Sequence, residues 1–153
     1  MIEILVGLPG SGKTTYARRK VAYDPNTIRV NKDDLRKMLH NRSYTIPEEE
    51  IVCKVRDDII LGAINDGFNV IVDDTNSKQK HIDRIVEISM KSKFTVAPKT
   101  KIVKFETPLQ ECIDRDFLRS GGVGRQVIEK INADLEKLPY WRDEDRAELR
   151  VVK

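Results

Sequence analysis

The eight residues Gly7-Leu-Pro-Gly-Ser-Gly-Lys-Thr14 constrain this chain more than any other stretch. Glycines at this density let the backbone turn its N–H groups inward around an anion, in conformations that side chains resist. The apolar run Ile2–Val6 just before them reads as a buried strand, and a helix is expected from about Gly12 to Val21. That helix would point its positive N-terminal end at the same anion. Strand, glycine loop and helix in this order, closed by Lys-Thr, make a P-loop. A chance match to the pattern arises in about one chain in two hundred of this length, and the strand–loop–helix context makes chance a still poorer explanation. Gly7, Pro9, Gly10, Ser11 and Gly12 are therefore expected around the phosphates of ATP, with Thr15 beside them. Lys13 is expected on the β- and γ-oxygens, and the Thr14 hydroxyl on a magnesium ion.

The rest of the chain alternates strand with helix, which predicts an α/β fold of three layers: a mostly parallel central sheet flanked by helices. Strands are expected at Thr27–Val30, Phe68–Val72 and Lys101–Phe105. Asn31 is positioned to cap a helix running to about His40. Thr45-Ile-Pro-Glu48 and Thr107-Pro-Leu-Gln110 both have the spacing of a capping box. The first opens a helix with Ile51, Val55, Ile59 and Ala63 on its inner face, ending at Gly67; the second opens one running to about Arg119. Ser77 opens a helix with Ile82, Ile85 and Val86 inward, Gly121–Gly124 reads as a flexible loop, and Val127–Leu138 as a further helix. No element is read beyond Pro139, where Tyr140 and Trp141 are expected to pack the tail.

At 153 residues the chain suits one domain, and its apolar runs are too short to span a membrane. With no signal-peptide pattern at Met1-Ile-Glu-Ile-Leu-Val6, a cytoplasmic location is expected. Cys53 and Cys112 read as reduced, buried, small apolar residues, and His40 and His81 as surface residues. A net charge of +3 permits nucleic acid binding without demanding it.

Beyond the phosphate cradle, three segments carry candidate chemistry. Asn31-Lys-Asp-Asp-Leu-Arg36 offers a carboxylate, Asp33 or Asp34, to take a proton from an attacking hydroxyl. Arg36 lies one helical turn from Asp33, so a carboxylate and a guanidinium can share a face. Asp73 and Asp74 close the third strand, where either would support the magnesium shell or the acceptor. Arg115 and Arg119 flank the glycine loop and are candidates to close over ATP, Arg119 above all. A basic channel for a strand is expected from Arg36, Lys37, Arg42 and Arg84.

Taken together, Gly7–Thr14, Asn31–Arg36, Asp74-Thr-Asn76, and Arg115 with Arg119 resemble the phage and bacterial 5′-polynucleotide kinase family. The resemblance runs from the N-terminus to about residue 138. It implies that Lys13 and Thr14 handle phosphates and metal, and that Asp33 is the general base toward a nucleic acid 5′-hydroxyl. It implies that Arg36 contacts the acceptor strand's phosphate, that Asp74 organises the acceptor site, and that Arg119 is the lid arginine. The chain lacks the Asp-x-Asp-x-Thr motif of the phosphatase domain that family members often carry, so a kinase domain alone is expected. It also has Gly121-Gly-Val-Gly-Arg125 where the family commonly has a Val-Pro step. The competing readings are a kinase for a sugar, nucleoside or sugar-nucleotide, and an NTP-binding switch with no acceptor.

Overall fold

The structure is a computed structural model and describes residues 1–41, 46–139 and 148–152. Five strands, β1 (Ile2–Val6), β2 (Thr27–Val30), β3 (Asn69–Val72), β4 (Thr100–Phe105) and β5 (Glu148–Val152), form one sheet in the order β2-β3-β1-β4-β5, parallel throughout. Six helices connect them: α1 (Lys13–Tyr23), α2 (Lys32–His40), α3 (Ile46–Asn65), α4 (Gln79–Met90), α5 (Leu109–Phe117) and α6 (Arg125–Glu136). A parallel pair needs a crossover, so each strand-to-strand connection carries helix across a sheet face.

Side chains alternate along β1 and sort the layers. Ile2, Ile4 and Val6 pack with Val52 and Ile60 of α3 and Ile82 and Ile85 of α4. Leu5 points the other way and packs with Ala17 of α1, Ile71, Val103 and Phe105. A third cluster joins Leu8 of the glycine loop to Cys112, Ile113 and Ile128, so α5 and α6 are packed directly against the phosphate cradle. The three-layer α/β fold is the one expected. Among the described residues no helix is long and apolar enough to cross a membrane.

Several local expectations are corrected. The inner face of α3 is turned by one residue: Val52, Ile60 and Ile64 are buried while Ile51 is exposed, and Val55, Ile59 and Ala63 only flank the core. Helix α3 packs against α2 and α4 as well as against β2 and β3, which widens its apolar stripe and blurs the period. The box at Thr107 does not form: Pro108 occupies the N-cap, and the Thr107 hydroxyl donates instead to the Ser11 carbonyl at 3.1 Å, tying α5 to the glycine loop. Lys78 rather than Ser77 precedes α4, and Ser77 is buried. Cys112 is buried as expected, but Cys53 only partly so. β5, a strand beyond Pro139, was not expected at all. Thr45, Arg42, Tyr140 and Trp141 lie outside the described residues.

Candidate active site

The carboxyl ends of β1 and β3 open into a cleft of about 1200 Å³. A parallel sheet places such a crevice where neighbouring strands send their connections in opposite directions, here around β1. The glycine loop forms one wall. Gly10 has φ 84°, and a Cβ there would stand 2.6 Å from the Cys112 carbonyl oxygen, so α5 leaves room only for glycine. Gly12, at φ 94°, turns the chain into α1. Pro9, Gly10, Ser11, Gly12, Lys13, Thr14 and Thr15 all line the cleft. Gly7 lies beneath it, and its carbonyl accepts the Lys13 ammonium at 2.9 Å. Lys13 donates also to the Leu8 carbonyl at 2.7 Å. Burial pulls its pKa down to about 8, against the pull of Asp73 and Asp74.

The two aspartates at the end of β3 divide the floor between them. Asp73 faces the glycine-loop wall. Its Oδ2 accepts Arg29 Nε at 2.6 Å, and its buried Oδ1 has no hydrogen-bond partner among the described residues. Burial raises the Asp73 pKa, opposed by Arg29, the Thr14 hydroxyl and Lys13. A hydroxyl and an orphaned carboxylate oxygen side by side are hard oxygen donors, and they fit a magnesium ion that keeps part of its water. Asp74 faces the start of α2. Its Oδ1 accepts the Lys32 backbone N–H at the start of α2 at 2.8 Å, and its Oδ2 meets Arg56 Nη1 at 3.4 Å. Asn76, at φ 48°, donates to the Leu5 carbonyl at 2.8 Å and pins this turn to the strand that leads into the glycine loop.

The wall opposite the glycine loop is the first turn of α2. Asn31 caps it as expected, its Oδ1 accepting the Asp34 N–H at 3.0 Å, while its side-chain amide donates to the Asp73 carbonyl. The two adjacent aspartates then part company. Asp33 lines the cleft and pairs with Arg36, as the spacing predicted. Asp34 does not line it and pairs with Arg29 at 2.6 Å. Arg36 is gripped from behind by Glu49, whose two oxygens accept Nε and Nη2 at 2.8 Å each. Glu49 also accepts Lys32 Nζ at 2.9 Å. Burial works to raise the Glu49 pKa, but hydrogen bonds from Arg36 and Lys32 win and bring it down to about 2.

The sequence reading missed Glu49, Arg29 and Arg56. A charged residue in a strand or a helix carries no local mark of a partner 13, 18 or 44 positions away, the separations of Glu49 from Arg36, Arg56 from Asp74 and Arg29 from Asp73. It also misjudged His81, which lines the cleft rather than the open surface; burial and the nearby Lys32, Lys80, Arg56 and Lys78 lower its pKa to about 4. His40 is likewise half-buried. Of the expected basic channel, Arg36 lies in the cleft, but Lys37 and Arg84 do not line it, and Arg84 pairs with Asp57 at 2.6 Å.

Arg115 and Arg119 both line the cleft. Arg115 Nη1 donates to the Gly10 carbonyl at 3.1 Å and pairs with Glu111. Arg119 donates through Nε and Nη2 to Asp116 Oδ1 at 2.9 and 2.6 Å. Asp116 Oδ2 accepts the Gly124 N–H at 2.9 Å, so the loop Gly121–Gly124 is latched onto the same carboxylate. A Cβ at Gly122 would come within 2.4 Å of the Asp116 carbonyl oxygen. The loop read as flexible is thus a shaped turn built on Asp116.

The sequence profile of the AAA domain family matches residues 2–138. The chain belongs to this family. A candidate bifunctional polynucleotide kinase/RNA ligase of Autographa californica nuclear polyhedrosis virus is 29% identical over 131 residues, covering 76% of this chain and 18% of that protein. The structure of a Pnkp1/Rnl/Hen1 RNA repair complex contains a chain that superposes with a TM-score of 0.74 at 29% identity, over 94% of this chain and 45% of that one. The chain therefore spans less than half the length of these relatives. A sugar kinase from Janibacter sp. shares the fold, with a TM-score of 0.64 over 99% of this chain and 83% of its own, at 18% identity. The fold is of the P-loop kinase type, and the polynucleotide kinase resemblance read from the motifs recurs in the relatives.

Proposed function

We propose that the chain is an ATP-dependent polynucleotide kinase domain that transfers the γ-phosphoryl group to the 5′-hydroxyl end of DNA or RNA, in nucleic acid repair. The observation that carries this reading is the Asp33–Arg36 pair, braced by Glu49 and lining the same cleft as Lys13 and Thr14. A carboxylate beside a guanidinium suits an acceptor that presents a hydroxyl and a phosphate on the same nucleotide, as the 5′-hydroxyl and 3′-phosphodiester of a strand's 5′ end do. The viral polynucleotide kinase/RNA ligase relative and the similar chain of an RNA repair complex support the same acceptor class.

In this reading the 5′ oxygen attacks the γ-phosphorus, and the new O–P bond forms as the bond to the β,γ-bridging oxygen breaks. Asp33 takes the hydroxyl proton, and ADP leaves with the electron pair of the broken bond. Arg36 holds the acceptor's phosphate, and Asp74 keeps the start of α2 in place through Lys32 N–H. Lys13, Arg115 and Arg119 offset charge on the donor phosphates. The Thr14 hydroxyl and Asp73 would hold a magnesium ion, which would supply further charge neutralisation at the phosphate oxygens.

γ-Labelled ATP offered in parallel to a 5′-hydroxyl oligonucleotide and to a panel of sugars, nucleosides and sugar-nucleotides tests the reading. Label on the oligonucleotide alone is expected. Label on a metabolite with none on the oligonucleotide would overturn it, as would hydrolysis of ATP with no phosphorylated product.

A further inference from the structure

An arginine near the end of a buried strand is costly unless its charge is matched. Arg29 of β2 has a side chain only 15% exposed and is matched twice, by Asp73 Oδ2 through Nε and by Asp34 Oδ2 through Nη1, each at 2.6 Å. The two carboxylates belong to elements on opposite sides of the cleft, although Asp34 itself does not line it. Asp73 ends β3 beside Thr14, on the glycine-loop wall. Asp34 lies in the first turn of α2, next in sequence to Asp33 on the opposite wall. A planar guanidinium holds two such partners in a fixed mutual geometry, which an ammonium cannot.

Two other ties fix where α2 begins: the Asn31 amide on the Asp73 carbonyl, and the Lys32 N–H on Asp74 Oδ1. Both act at the very end of the helix; on its other side Lys32 and Arg36 are tied to Glu49 of α3 and Leu35 is buried in the core, so the Asp34–Arg29 pair is the side-chain tie that joins α2 to β2 and, through Arg29, to Asp73. Asp34 sits about 100° around the axis from Asp33. Holding Asp34 from this side therefore contributes to where Asp33 points.

The geometry points to Arg29 as a positioning residue that braces the first turn of α2 against the end of β3 from the Asp34 side and so helps set the place of Asp33 in the cleft. The inference rests on the kinase reading above for its consequence in catalysis, but its structural content stands apart from the acceptor's identity. The competing role for Arg29 is simple neutralisation of buried Asp73.

The experiment compares Arg29→Gln, Arg29→Lys, Asp34→Asn and the double variant Arg29→Gln/Asp34→Asn with the wild type. Hydrogen exchange at the Asp34 and Leu35 amides, which bond to Asn31, reports the first turn of α2 without any acceptor. Single-turnover transfer to a 5′-hydroxyl oligonucleotide, and ATP affinity, are measured alongside. In Arg29→Gln the two amides are expected to exchange about threefold to tenfold faster. Transfer should slow about tenfold to a hundredfold at unchanged ATP affinity, since small displacements of a reacting group have effects of that size. Asp34→Asn should slow transfer about threefold to tenfold alone and have no further effect in Arg29→Gln. Arg29→Lys, which keeps the charge but not the fork, should behave like Arg29→Gln. Wild-type transfer by Arg29→Lys, or equal effects of Asp34→Asn in both backgrounds, would reduce Arg29 to a counter-charge and overturn the inference. If Arg29→Gln does not fold, Asp34→Asn at its half-exposed site decides through exchange: wild-type protection of α2 overturns the inference. A wild-type protein that phosphorylates no oligonucleotide contradicts the kinase reading instead, and the exchange result still tests Arg29.

Discussion

Replacing Asp33 by asparagine removes the carboxylate while keeping the side chain's size. If Asp33 is the general base, transfer should fall by about 10²–10⁴-fold, which corresponds to about 3–5 kcal/mol of transition-state stabilisation. The structure bounds the competing explanation. The Asp33 side chain is 78% exposed, and its pair with Arg36 is formed at the rim of the cleft. An exposed pair of this kind contributes about 0–1 kcal/mol to the fold. Arg36 keeps both bonds to Glu49 when Asp33 is changed. Loss of the fold therefore cannot account for a rate decrease of that size. Asp34→Asn is the matched control, one residue away, in the same helical turn and subject to the same helix dipole. It does not line the cleft, its contact is Arg29, and its cost should stay within about tenfold. Single-turnover rates on a 5′-hydroxyl oligonucleotide, with ATP affinity measured separately, compare the two. An active Asp33→Asn beside a dead Asp34→Asn would refute the base assignment. Two active variants would return the segment to an ordinary acidic helix start and weaken the case for a nucleic acid acceptor.

Arg119→Ala should lower kcat by about 10²–10³-fold while the acceptor KM changes little, because charge on the transferring group is greatest in the transition state; a rise in acceptor KM alone would move Arg119 to the acceptor site. Gly10→Ala should lower stability by about 2–4 kcal/mol, from the positive φ and the clash with the Cys112 carbonyl together; an unchanged urea midpoint would contradict the packing of α5 on the loop. His81 is protonated near pH 6.5 in the unfolded chain but only at about 4 in the fold. The unfolded state therefore binds the extra proton first, and melting temperature should fall as pH drops from 6.5 toward 4. His81→Gln should flatten that slope, and an identical slope in the variant would show that other groups cause it.

Local signals were enough for the phosphate cradle, because the motif's glycines, lysine and threonine are all neighbours in sequence. The Asn31 cap and the Asp33–Arg36 pair were legible for the same reason, since both are made within one helical turn. What escaped depends on distant partners. Glu49 grips Arg36 across 13 positions, and Arg29 meets Asp73 across 44. β5 is a short edge strand whose ladder bonds all go to β4, far upstream. Thr107 had two competing uses, a helix cap and a bond to the glycine loop, and tertiary contact decided for the second. The division of labour between Asp73 and Asp74 likewise follows from which way each side chain leaves the end of β3, which no spacing in the sequence encodes.

The central claim, that a 5′-hydroxyl of a nucleic acid strand is the acceptor, is tested most directly by following γ-labelled ATP into two matched oligonucleotides. One carries a 5′-hydroxyl and the other a 5′-phosphate, with Lys13→Ala as the control for the phosphate cradle. The account predicts label at the 5′ end of the hydroxyl strand only, dependent on magnesium and lost in Lys13→Ala. No label on the hydroxyl strand, or equal label on both strands, would contradict it.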